Sequence, residues 1–364
     1  MPSHRPMLIV FSTQMTASGG IENHLVRLCE HLSAAGVCLL FFCPDYRLGD
    51  GLDRRLRAAC RRMMILSGDP GRLPVWKRFG WLMVKTLTWP EKWRGVLYIN
   101  GQGGSPYWIA KILRRKASKI VLHHHSAGDA SDIFSWPKSY HRLLETADSV
   151  IACSTTNAEA ISKNSDREVE VVYCYSESAG ELPKRAKRGK LNFGFFGRLI
   201  PEKGIDTILR LSKEPTLADI HWHLWGPCEG YSPQFTDGFP NLEYHGLFHD
   251  RAGLLDALSR LDAFTLFSTH NEGLPLTLLE AMGAGVPWLA SDRGGIRDLV
   301  LDSTSTILLS DGFGYPEALS ATRRLADSIK SGCTDPRKLQ RAYKDRFHPA
   351  KITRDWVRVF GFGP

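Results

Sequence analysis

Twice along this sequence a series of short apolar runs alternates with helical stretches, and a charged segment separates the two series. Met7-Leu-Ile-Val-Phe11 leads into a turn rich in Ser, Thr and Gly, then a helical pattern at Ile21, Leu25, Val26, Leu28 and Leu32 that ends near Gly36. Val37 to Cys43 reads as the next strand, with further runs at Val96–Asn100, Ile120–His124 and Ser149–Ala152. Strand, Gly-containing turn, helix and strand open a parallel α/β unit, so this half is expected to be an open sheet with helices on both faces. Residues 176–190 are polar, charged and almost free of large apolar side chains, as a linker would be. Beyond them strands are predicted at Asn192–Phe196, His221–Trp225, Leu242–His245, Ala263–Phe267 and Trp288–Ala290. Helices are predicted near 203–213, 251–260, 276–284 and 316–330. The expected organisation is a first domain over 1–175, the linker, a second domain over 191–345 and a C-terminal tail or helix over 346–364 that packs back on the first domain. Two doubly wound units in tandem predict a cleft at the carboxyl ends of their strands.

Composition supports two cores. Of 364 residues 43% are hydrophobic and 23% charged, which excludes general disorder, and the 33 Gly and 20 Pro have no collagen-like period. The longest apolar runs fall far short of the ~20 residues that cross a bilayer, and Met7–Phe11 is a strand seed rather than a signal-peptide core. Eight cysteines include no C-x-x-C pair and no zinc spacing, so most read as small buried residues in a reducing compartment. The expected location is the cytoplasm or the inner face of the cytoplasmic membrane.

Charge is uneven. Residues 1–175 carry 23 Lys and Arg against 15 Asp and Glu, whereas the remainder carries 24 against 23. A basic first half suits an anionic partner, whether nucleic acid, anionic lipid or a phosphorylated saccharide. Arg72 to Arg94 interleaves Trp76, Phe79, Trp81, Trp89 and Trp93 with six cations, so it suits either a membrane surface or a core whose charges face water.

Two constellations carry chemistry. The first is Asn271-Glu-Gly-Leu-Pro-Leu-Thr-Leu-Leu-Glu-Ala-Met-Gly-Ala-Gly-Val-Pro287, directly after a predicted strand. Pro275 suits the first turn of a helix and Gly283 and Gly285 its end, so Glu272 lies in the loop and Glu280 inside the helix. A helix start between two carboxylates suits an extended nucleotide sugar. The diphosphate would rest near Gly273, Leu274, Pro275 and Leu276 while the carboxylates accept vicinal hydroxyls. The second is Phe193-Gly-Phe-Phe-Gly-Arg-Leu-Ile-Pro-Glu-Lys-Gly204, in which Gly197 precedes two candidate phosphate cations, the fork of Arg198 and the point charge of Lys203.

Glu272-(seven residues)-Glu280, together with Phe196-Gly-Arg-Leu-x-Pro-Glu-Lys-Gly204, resembles the retaining glycosyltransferases of family 4, which have the GT-B architecture of two Rossmann-like domains around a cleft. Ser18-Gly-Gly-Ile-Glu22, Ser268 and Gly294-Gly295 extend the resemblance through most of the chain; Pro275, where many members have Gly, and Asp298, where Glu is common, depart from it. The resemblance implies a UDP- or GDP-sugar donor and no cofactor or metal. It implies donor contacts at Gly20, Leu247 and Ser268, with His125 as the first domain's cleft histidine. His123 and His124 compete for that role, although alternation puts 123 and 125 on one face. Adjacent histidines without a carboxylate cluster make a poor metal site, and the sequence has no Asp-x-Asp pair. Glu22 and His24 are candidate acceptor contacts.

The expected activity is metal-independent, anomer-retaining transfer of a sugar to a membrane-associated or anionic saccharide, as in lipopolysaccharide, O-antigen or capsule assembly. The alternatives are a soluble small-molecule acceptor and a GT-B sugar-nucleotide epimerase. Nucleic-acid binding has no motif to support it.

Overall fold

The computed structural model describes residues 5–16, 19–65, 74–88, 94–101, 104–114, 116–125, 133, 135–176, 189–232, 234–248 and 250–363. Its contacts divide the chain into two units, Met1–Tyr175 with Pro349–Pro364 and Ser176–His348.

Among the described residues, unit 1 holds seven parallel strands: β1 (Met7–Ser12), β2 (Cys38–Cys43), β3 (Arg62–Ile65), β4 (Gly95–Asn100), β5 (Ala117–His124), β6 (Ser149–Ala152) and β7 (Glu170–Val171). Their spatial order is β3-β2-β1-β4-β5-β6-β7. The helices are α1 (Gly20–Ala34), α2 (Asp50–Ala59), α3 (Val75–Leu87), α4 (Gly104–Leu113), α5 (Lys138–Thr146) and α6 (Thr155–Ser165). Both sheet faces are buried. One packs Leu97, Ile99 and Leu122 against Ile109, Tyr140 and Leu143. The other packs Leu8, Val10 and Tyr98 against Leu25, Leu28 and Leu32 of α1. A C-terminal helix, Pro349–Phe360, belongs to this second face and buries Ile352, Trp356 and Phe360 there.

Unit 2 repeats the plan with β8 (Leu191–Phe196), β9 (Ile220–Trp225), β10 (Leu242–Tyr244), β11 (Ala263–Leu266), β12 (Trp288–Ser291) and β13 (Thr306–Leu309). Their order, β10-β9-β8-β11-β12-β13, is the doubly wound 3-2-1-4-5-6 arrangement. Its helices are α7 (Ile205–Leu211), α8 (Arg251–Arg260), α9 (Leu276–Gly283), α10 (Tyr315–Lys330) and α11 (Pro336–Arg346). The order of connection reverses between β8 and β11, which makes the loops after these two strands the place where such a fold receives ligands.

Several elements differ from the sequence reading. The segment expected as one helix near 203–213 is a 3₁₀ turn, Pro201–Lys203, followed by α7, because Gly204 takes φ +78° between them. Pro275 stands at the N-cap of α9 with extended backbone, not inside its first turn. In the linker, 177–188 lie outside the described residues, as do Ser18, Trp89 and Trp93. No helix among the described residues is long and apolar enough to cross a membrane.

Candidate active site

In unit 2 the site is made by two loops pressed together at the switch point. After β8 the chain turns through Gly197 and Arg198 into the 3₁₀ turn, and Gly204 ends that turn against β11. A Cβ at Gly204 would run into the carbonyl of Phe267, so only glycine permits both the backbone angle and the approach. The approach is fastened by Thr269 N–H, which donates to the Glu202 carbonyl at 2.8 Å. It sets the Lys203 ammonium 2.6 Å from Glu272 Oε1, with side chains only 17% and 8% exposed. His270 Nε2 lies 3.5 Å from both groups. Burial lowers the His270 pKa, Glu272 opposes the shift, and Lys203 and Arg198 reinforce it, so both cations act at this point.

The loop carrying Glu272 is clamped from its other side. Gly295 N–H donates to the Glu272 carbonyl at 2.9 Å. Gly294, at φ +55°, comes so close that a Cβ would overlap the same carbonyl. The loop then enters α9, whose first turn has no side-chain cap. Uncapped N–H groups and the helix dipole favour an anion there. Glu280 is buried on the second turn of α9, one turn beyond that opening. Leu274 and Leu276 are buried beside it.

Three further expected donor contacts have distinct surroundings. Arg198 is half exposed and stands 3.9 Å from Glu229, an exposed pair that holds it weakly. The Ser268 hydroxyl is turned inward to the carbonyls of Glu202 and His270, so it fastens the two loops. Leu247 is an exposed apolar side chain after β10. His270 was not foreseen; a titratable residue two positions before Glu272 in the loop after β11 is the signal that marks it.

Unit 1 carries a different cluster. Strand alternation sends His123 and His125 to one face with ring centroids 4.0 Å apart, and His24 of α1 meets them at 5.3 and 5.2 Å. His124 points the other way, to Tyr140. Asn100 Oδ1 accepts from His125 Nε2–H, and Asn100 Nδ2 donates to Ser12 Oγ at 3.0 Å. Tyr175 N–H donates to His24 Nδ1 at 3.1 Å, so the neutral ring carries its proton on Nε2. That Nε2 and the Nε2 of His123 are buried without a hydrogen-bond partner. Burial, then the neighbouring imidazoles, holds His24 and His123 well below the usual histidine range, and His125 is pushed down to about 3.

His24, a candidate acceptor contact, has no exposed surface. Its ring is fully buried among His123, His125, Tyr175 and Trp356 because it lies on the inward stripe of α1 with Leu28 and Leu32. Glu22, two residues earlier, is only half-buried and turns to another face. Gly20 is the first residue of α1 behind an uncapped Gly19. The three imidazoles also place one nitrogen each within 4.8 Å of the others, a grouping the metal argument from His123–His125 alone had missed.

The comparisons agree with this architecture. The family described as Glycosyltransferase Family 4 matches residues 18–175, and that described as Glycosyl transferases group 1 matches 190–327. A GDP-mannose-dependent alpha-mannosyltransferase of Mycolicibacterium smegmatis is 27% identical over 349 residues, 89% of this chain and 90% of the relative. Its namesake in Mycobacterium tuberculosis is 25% identical over 329 residues, 84% and 83% of the two chains. The crystal structure of Anabaena HepE in complex with UDP and glucose superposes with a TM-score of 0.73 at 16% identity, covering 98% of this chain and 99% of that one. With both halves matched and both sheets doubly wound in parallel, the chain is a GT-B protein and belongs to the family 4 glycosyltransferases.

Proposed function

We propose that this glycosyltransferase moves a hexosyl group, with retention and without a metal, from a UDP- or GDP-sugar to a saccharide that is anionic or membrane-attached. The observation that carries the reading is the Lys203–Glu272 pair at the uncapped start of α9, on the switch point of unit 2. The donor diphosphate lies on the N–H groups after Gly273 and is neutralised by Lys203 and Arg198. An ammonium has three donors, so Lys203 keeps Glu272 in position while it binds phosphate. Glu272 accepts hydroxyls of the donor sugar and Glu280 those of the ribose. As the sugar–phosphate bond breaks, the leaving phosphate oxygen takes the proton of the acceptor hydroxyl, and the new glycosidic bond forms on the same face. No side-chain base is needed. His125 is assigned to the reacting face by the family resemblance, and Glu22 remains the acceptor-side candidate.

The two mannosyltransferases that resemble the chain favour GDP-mannose among the donors to try first. The basic first half supports an anionic acceptor. On α3, Trp76 and Val84 are exposed beside Lys77 and Lys85, which supports contact with anionic lipid at the cytoplasmic face. Trp81 instead packs partly against the core.

A thermal-shift panel of nucleotide sugars names the donor, because a ligand of the folded state raises the midpoint. Transfer from that donor to lipid-linked and to soluble saccharides, with the anomeric configuration read by NMR, then tests the reaction. An inverted product, or hydrolysis with no acceptor used, overturns it. Flotation with anionic vesicles tests the membrane contact; absence from both anionic and neutral vesicles removes it.

A further inference from the structure

A second cluster of nitrogen and oxygen ligands lies on the sheet of unit 2, apart from the loops that carry Lys203 and Glu272. β9 and β10 are parallel neighbours with His223 opposite Glu243. The two-residue period therefore puts His221 and His223 on the same face as Glu243 and His245. His221 Nε2 is 3.8 Å and His223 Nδ1 3.9 Å from one carboxylate oxygen of Glu243, and His245 Nδ1 is 3.6 Å from the other. One ligand atom each from His221, His223 and Glu243 fall within 4.8 Å of one another. His245 Nε2 stands 2.9 Å from His223 Nδ1. Ligands around a tetrahedral zinc ion, with bonds of about 2.0–2.1 Å, are separated by about 3.3 Å, so small side-chain rotations close this set.

The shell behind the cluster has the form that metal-binding histidines require. His223 Nε2 is 3.0 Å from Asn192 Oδ1, and the Asn192 amide nitrogen donates to Asp262. This orients the amide so that His223 donates from Nε2 and turns the Nδ1 lone pair toward Glu243 and His245. Trp225 stacks on the His245 ring at 4.5 Å and 17°, which fixes its plane. The mouth is open, since the Glu243 side chain is 57% and that of His221 29% exposed.

We propose that His221, His223 and Glu243, with His245 as the fourth ligand, form a binding site for a zinc-like divalent transition metal. Three imidazoles and one carboxylate suit such an ion better than magnesium or calcium, which prefer oxygen. The ion would tie the edge strand β10 to β9 and take no part in sugar transfer.

The test is calorimetric titration of zinc into the chelator-treated full-length protein, in parallel with His221→Ala/Glu243→Gln. Wild type is expected to bind one more equivalent than the variant, or to bind that equivalent at least tenfold more tightly, and zinc is expected to raise its unfolding midpoint. The subtraction removes any zinc held by His24, His123 and His125. Should the double variant unfold in chelator, Glu243→Gln alone, at an exposed position and of equal size, gives the same comparison. Equal zinc stoichiometry and affinity in wild type and variant, or no stoichiometric zinc in wild type, overturns the proposal.

Discussion

The two units use one sheet plan and treat charge in opposite ways. In unit 1 three imidazoles are buried side by side and kept neutral, and two of their nitrogens have no partner. In unit 2 a cation and an anion are held 2.6 Å apart with little exposure, beside a helix start that no side chain caps. Glycines explain part of the difference. Gly204 and Gly294 let neighbouring loops approach the Glu272 segment closer than any side chain allows, so a charged pair is organised before a ligand arrives. The histidine cluster is assembled instead from α1, β5 and the residues after it, with Trp356 of the C-terminal helix as its floor. Unit 2 thus holds fixed charge beside a helix start, which the proposed function assigns to a phosphate, and unit 1 holds neutral imidazoles.

The sharpest way to break this contrast is Lys203→Ala. Loss of a preorganised positive group facing a leaving diphosphate is expected to lower kcat by about 10²–10³-fold in a transfer assay. An unchanged kcat would leave the pair a structural feature only. The same variant strands a buried carboxylate, so denaturant unfolding should register a loss of about 3 kcal/mol, recovered largely in Lys203→Met/Glu272→Gln. Equal losses in the single and double variants would mean that the pair is not coupled.

The histidine cluster predicts a pH dependence of stability. All three rings are depressed below their ordinary value when folded, so on acidification the unfolded chain takes up protons first. Stability is complete above about pH 6.5 and falls as the pH is lowered toward the folded values, by up to about 1.4 kcal/mol per imidazole per unit. Urea midpoints at pH 7.5, 6.5 and 5.5 check it, and a flat profile would mean that the rings are protonated when folded. The smallest effect is expected at Glu280, where Gln keeps the volume and removes the charge. Donor KM should rise about tenfold with kcat little changed, the loss of one charged hydrogen bond.

Unit 2 was the more legible half because its site is local in sequence. Lys203 and Glu272 each follow a strand by a few residues, and the turn chemistry of Pro201, Gly204 and Pro275 is written beside them. The unit 1 cluster joins residues a hundred positions apart, and His24 reads as polar until its four-residue spacing to Leu28 and Leu32 is weighed. Weak elements escaped for similar reasons. α2 has Leu52 and Leu56 among five charged residues, and β3 is four residues long with an exposed arginine. β13 follows no glycine-marked turn of the kind that betrayed the earlier elements, and α11 lies past the last motif.

The most direct measurement is the affinity of UDP and GDP for wild type, Lys203→Arg and Lys203→Ala by calorimetry. If the loops after β8 and β11 receive the donor's diphosphate, one nucleotide binds wild type, the arginine variant retains most of that affinity, and the alanine variant loses at least tenfold. Equal affinity in all three proteins, or no binding of either nucleotide to wild type, would contradict the assignment.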